Sequence, residues 1–141
     1  MYVKLKNILI CLFLLFTASC TQAKSDVDVD LSKMSATAVY SEVYNMLVTP
    51  EDYVGKTVRM RGAFQSYYSP DAGRVYCYCV IPDATACCEQ GIEFVLAGDP
   101  VYPDDYPEEG ETITVKGVFD TYMEGKIEYC NLVSAELSGK K

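Results

Sequence analysis

The 141-residue chain has no histidine and no tryptophan. Without an imidazole, no side chain has an ordinary pKa between pH 5 and 8, and neither His-based acid–base catalysis nor a His-ligated metal site can be assembled. None of the seven cysteines forms a C-x-x-C pair, so the usual frame of a thiol–disulfide oxidoreductase is missing. There is no nucleophile elbow, no H-E-x-x-H and no Walker loop, and the chain reads as a non-enzyme. Basic residues are scarce. The formal charge is −8, and no Lys or Arg stands between Val75 and Val115. Proteins that hold nucleic acid draw most of their affinity from neutralised phosphates, so the charge balance argues against nucleic acid as a partner. Long apolar runs are absent too: Ile8 to Phe16 is nine residues, where a bilayer-spanning helix needs about 20.

That short run has a recognisable setting. Lys4 and Lys6 precede it, and the small residues Thr17, Ala18 and Ser19 lead from it to Cys20, the pattern of a secretory signal peptide over residues 1–19. A cysteine directly after small residues resembles the lipobox of bacterial lipoproteins, with Thr17 where leucine is usual. The resemblance implies diacylglyceryl transfer to Cys20, cleavage before it, and an extracytoplasmic protein anchored to the membrane. Multiple acyl chains give stable attachment where one is marginal. The other reading is an ordinary signal peptide with a structural Cys20. Losing Lys4 and Lys6 takes the formal charge from −8 to −10.

Residues 20–34 are read as a flexible tether, since Thr21 to Lys33 is polar and acidic without usable periodicity. Residues 35–141 are read as one domain. Val39, Val43 and Leu47 recur every fourth residue behind Ser35, a candidate N-cap, and predict a helix. Thr49-Pro50-Glu51-Asp52 predicts a further helical turn with a capping hydroxyl, closed by Gly55. Beyond it the period is two. Lys56 to Gln65 predicts a first strand with Val58, Met60 and Phe64 inward and Gly62 at a bend, followed by a turn from Tyr67 to Gly73. Arg74 to Ile81 predicts a second strand with Val75, Cys77, Cys79 and Ile81 on one face. Pro82 to Ala86 connects it to a third strand, Ile92 to Ala97. The proline-rich, acidic stretch Gly98 to Gly110 is a loop. Thr112 to Tyr122 and Lys126 to Leu137 form a closing hairpin. The predicted fold is mainly β: a five-stranded Greek-key barrel of the OB type preceded by an N-terminal helix.

The stretch Val43 to Phe64 (VYNMLVTPEDYVGKTVRMRGAF) resembles the opening of extracytoplasmic OB-fold families, including the tRNA-anti-like lipoproteins. Cys87 to Val95 (CCEQGIEFV) is similar to the double-cysteine strand entry of the soluble subunit that partners a putative permease in many Firmicutes. These resemblances imply an OB-fold binding module, with zinc handling suggested only by association.

Five cysteines besides Cys20 remain beyond the signal peptide: Cys77, Cys79, Cys87, Cys88 and Cys130. Three readings stand open. Export favours disulfides, leaving one thiol over. Soft thiolates suit zinc, either as an all-thiolate set or with a carboxylate such as Glu89. Or the cysteines act as small core hydrophobes. The predicted hairpin sets Cys79 opposite Cys87 or Cys88, and parallel pairing of the third and fifth strands brings Cys130 to the same corner. Tyr67, Tyr68, Tyr76 and Tyr78 fall on the surface that OB folds use for ligands and form a candidate stacking platform. Amphipathic strand tyrosines are the plainer reading. Arg59, Arg61 and Arg74 lie near that surface as a weak anion site. The acids Asp104, Asp105, Glu108, Glu109 and Glu111 read as a solvated loop, lacking the ordered spacing of a calcium loop. The two functional readings are a membrane-tethered binding module with a zinc-binding cysteine cluster, and a disulfide-stapled domain docking on an envelope or permease partner.

Overall fold

A computed structural model describes residues 26–85 and 87–138. The expected signal peptide and Cys20 lie outside the described residues. Among the described residues the fold is mainly β, a six-stranded mixed sheet with one α-helix. In chain order the elements are β1 (Val29–Asp30), α1 (Ala36–Val48), β2 (Thr57–Ser69), β3 (Arg74–Pro82), β4 (Glu89–Leu96), β5 (Thr112–Glu124) and β6 (Ile127–Ser138).

The chain joins the fold before the expected boundary at Ser35. β1 pairs in parallel with β2, and the Asp28 amide donates to the Thr57 carbonyl at 2.8 Å. Val27 and Leu31 are buried, so part of the segment read as a tether packs into the core. The alternation Val27-Asp28-Val29-Asp30-Leu31 is the period-two signal for this strand, masked by acidic composition. Asp30 sits beside Arg59 at 3.2 Å.

Ser35 caps α1 as expected, its hydroxyl accepting from the Ala38 amide at 3.4 Å. The buried stripe differs from the expected one. Val43 and Met46 are fully buried, with Val39 and Tyr40 at the rim, while Leu47 is exposed. A strict four-residue repeat drifts about 40° per step on a helix of 3.6 residues per turn, so the core-facing row passes from Val43 to Met46. The turn Pro50–Asp52 forms, but the Thr49 hydroxyl donates back to the Asn45 carbonyl and does not cap it.

β2 is the organising strand. Its first half, Thr57 to Ala63, pairs antiparallel with β5, and its second half, Ala63 to Ser69, pairs antiparallel with β3. The change of partner falls at Gly62 and Ala63. A Cβ on Gly62 would lie 2.3 Å from the Val80 carbonyl oxygen and 3.0 Å from Cys79 Sγ, so only glycine admits this approach. Val58, Met60 and Phe64 are buried as the alternation predicts. The strand runs past the expected turn, with Tyr67 opposite Tyr76 and Tyr68 opposite Val75.

β3 pairs with β4, β4 with β6 in parallel (Phe94 opposite Leu132), and β6 with β5. Because β5 also pairs with β2, the ladder returns to its starting strand. Ile92, Phe94, Val115, Phe119 and Leu132 fill the interior with β2's apolar residues. The stretch 97–111 contains no strand, and Tyr106 packs from it against Phe64 and Phe94.

Candidate functional site

The second and fifth strands end in tight turns that approach one another, and between them lies a groove of about 350 Å³. It is lined by Tyr67, Ser69, Asp71, Ala72, Tyr76, Tyr78, Glu124 and Tyr129. Tyr67, Tyr76 and Tyr78 were expected on a ligand surface; Tyr68 points elsewhere and does not line the groove. Glu124 and Tyr129 arrive from the β5–β6 hairpin, and Asp71 from the β2–β3 turn. Their signal in the sequence was the pair of glycine-bearing turns, Gly73 and Gly125, which bring the hairpin tips together only in three dimensions.

One wall is fixed by hydrogen bonds. The Tyr76 hydroxyl donates to both Glu124 carboxylate oxygens, at 2.6 and 2.8 Å, and that bond pushes the phenol's pKa up. The Arg74 guanidinium lies 3.8 Å over the Tyr76 ring. It also bonds the Tyr122 hydroxyl at 3.0 Å and pairs with the Glu93 carboxylate at 3.4 Å. Glu93 is buried, and burial raises its pKa despite the Tyr122 hydroxyl and Arg74 beside it. Tyr122 in turn stacks on Tyr129, ring centroids 5.7 Å apart. Arg74 is therefore spent inside this network. Arg59 is paired with Asp30, so the three arginines do not assemble an anion site.

The thiols do not gather at one corner. None of the five is bridged. Cys79 is fully buried opposite Ile92, and burial pushes its thiol up to about 12; Cys77, buried beside it, is pushed up to about 11. Cys130 is half-buried, its sulfur 4.0 Å from the Met46 carbonyl at the end of α1. The β3–β4 register sets Pro82 opposite Glu89, three residues beyond Cys79, and carries Cys87 and Cys88 out into the hairpin loop. Parallel pairing sets Asn131 beside Glu93, so Cys130 sits near Ile92 and about four strand residues, roughly 13 Å, from the level of Cys88.

The exposed pair nonetheless has company. Asp83, Cys87 and Cys88 present one carboxylate and two thiols within 4.8 Å of one another, the one such group of three among the described residues. Asp83 Oδ1 accepts from the Thr85 and Cys87 amides at 2.9 and 3.0 Å, and the Cys87 thiol reaches Oδ2 at 3.3 Å. Desolvation works against the carboxylate, but these bonds from Cys87 and Thr85 outweigh it and hold its pKa low. The bond from Cys87, with burial and Asp83 behind it, pushes the Cys88 thiol up. Glu89, the carboxylate expected with the thiols, bonds Gln65 at 3.4 Å instead. Of the acidic loop residues, Glu109 accepts from the Ser66 amide at 3.0 Å and ties the loop to β2.

No protein-family model matches the chain, and no curated protein matches it. No helix among the described residues is long and apolar enough to cross a membrane.

Proposed function

We propose that this protein is a non-enzymatic binding module: a five-stranded Greek-key barrel of the OB type, held outside the cytoplasmic membrane by lipid on Cys20, whose groove takes a short cationic segment of an envelope protein. The pairing order β2–β3–β4–β6–β5 with return to β2, the parallel β4–β6 contact and the partner change at Gly62 support the barrel. OB folds take ligands on the face between the first and last hairpin loops, where the groove lies.

The observation that carries the reading is the groove's lining: four tyrosines with Asp71 and Glu124 and no basic side chain. Carboxylates draw a cation in, and ring faces accept ammonium or guanidinium groups with about 0.5–2 kcal/mol each. The chain's net charge of −8 steers in the same direction.

With no tryptophan to mask it, tyrosine fluorescence follows binding, and substitutions in the groove lining locate it. The detergent-solubilised protein is titrated with tetralysine, tetraglutamate and a neutral tetrasaccharide. Tetralysine should bind, more weakly as salt rises, and lose about tenfold or more in affinity in Glu124→Gln and Tyr129→Ala. Salt-independent binding of the sugar without tetralysine binding would overturn the cationic reading. The tether has its own test: Cys20→Ala should release the protein from the membrane fraction, and unchanged fractionation would contradict lipid anchoring.

A further inference from the structure

The hairpin loop between β3 and β4 is built around a single carboxylate. The Asp83 amide donates to the Cys88 carbonyl at 2.8 Å, continuing the β3–β4 ladder by one rung beyond Pro82 and Glu89. Asp83 Oδ1 receives the amides of Thr85 and Cys87, which folds the loop back and turns Oδ2 toward the Cys87 sulfur. Three potential ligand atoms are thereby held on one side of the loop by backbone hydrogen bonds.

Their spacing is that of a coordination sphere. Two thiolates about 2.3 Å from a tetrahedral zinc ion stand roughly 3.8 Å apart, and a thiolate and a carboxylate oxygen on the same ion roughly 3.6 Å apart. Here the two sulfurs are 3.5 Å apart and the Cys87 sulfur is 3.3 Å from the carboxylate. A disulfide would require the sulfurs to close to about 2.05 Å. The cysteines are exposed, unlike the closed shell of a structural zinc site. No fourth thiol or carboxylate joins the group among the described residues.

We propose that Asp83, Cys87 and Cys88 form an open, three-ligand site for a zinc ion, with the fourth position facing solvent. Sulfur ligands select soft or borderline metals over magnesium and calcium. An open fourth position suits an ion that is picked up and passed on, where a closed site would retain it. The site lies on the β3–β4 loop, outside the tyrosine groove's lining, and stands independently of the groove's ligand.

The test uses the whole protein in detergent, reduced and kept anaerobic. Cobalt(II), a spectroscopic substitute for zinc, is titrated in, and zinc is then added. One equivalent of cobalt should give thiolate-to-metal charge-transfer absorption that zinc abolishes. Cys87→Ser and Cys88→Ser should each diminish that absorption and together abolish it, Asp83→Asn should weaken binding by at least about tenfold, and Cys130→Ala should leave it unchanged. Absence of the absorption in protein whose Cys87 and Cys88 react as free thiols would overturn the proposal. So would its persistence in the Cys87→Ser/Cys88→Ser double variant. Closure of the pair to an intramolecular disulfide when air is admitted to protein holding one equivalent of zinc, the two electrons and two protons passing to dioxygen, would overturn it as well and assign the pair to redox chemistry.

Discussion

The cysteines divide by environment. Cys77 and Cys79 sit in the core and their thiols are pushed up to about 11 and about 12 by burial, whereas Cys87 and Cys88 are exposed. A thiol reacts through its thiolate and needs access. Iodoacetamide on the native reduced protein at neutral pH should therefore label Cys87 and Cys88 and spare Cys77 and Cys79 until the chain unfolds; peptide mass mapping reads the sites, and early labelling of Cys79 would contradict its placement. The same burial fixes an alkaline dependence. The folded pKa values stand above the ordinary thiol value of 9.0, so the unfolded chain releases these protons first. The stability they contribute is complete below about pH 9 and is lost as pH rises toward 11 and 12. Denaturant midpoints measured from pH 8 to 11 should fall, and the fall should shrink in Cys79→Ala. Burial of Cys77 and Cys79 was one of three open readings, carried by the alternation Val75, Cys77, Cys79, Ile81, although Tyr76 and Val80 on the opposite face are buried too. Which thiols would meet was not legible, because that depends on a hairpin register that sequence spacing does not define.

Two elements carry the architecture of the groove. The first is β2, which trades β5 for β3 at Gly62. With the Val80 carbonyl 2.3 Å from where a Cβ would stand, Gly62→Ala must part the strands and should cost about 1–3 kcal/mol or more; an unchanged denaturation midpoint would show that the strands do not approach there. A glycine amid alternating residues announced a bend, though not that the bend marks a change of partner. The second is the Arg74–Glu93–Tyr122 bridge across β3, β4 and β5. Burial raises Glu93's pKa above its ordinary value, so its carboxylate favours folding below that value and opposes it as pH rises through the folded pKa. Arg74 offsets part of that opposition. Arg74→Met should lower stability by about 1–2 kcal/mol at pH 7, tempered by Arg74's own exposure. The difference from the parent should narrow toward pH 4 as Glu93 takes up its proton. A difference equal at both values would mean that Arg74 acts through packing alone. This bridge was invisible in the sequence, since its members come from three strands that meet only in the fold.

Over the whole molecule, the succession of elements along the chain followed from periodicity, one helix and then five long strands interrupted by a proline-rich loop, whereas the pairing of strands rested on the barrel reading of that succession. The short β1 escaped because two paired residues offer little pattern and the acids around Val27, Val29 and Leu31 resemble a tether. The tyrosine surface was half legible, through Tyr67, Tyr76 and Tyr78 on β2 and β3. Its acidic half, Asp71 and Glu124, comes from turns whose meeting is a property of the complete fold. That meeting gives the groove its chemistry, on which the proposed binding of a cation rests. Amide chemical-shift mapping of the isotopically labelled protein during a tetralysine titration tests it most directly. Saturable shifts should concentrate at residues 67–72, 76–78 and 124–129 and be abolished by Glu124→Gln. Shifts spread evenly over the acidic surface, or centred on residues 104–111, would contradict it.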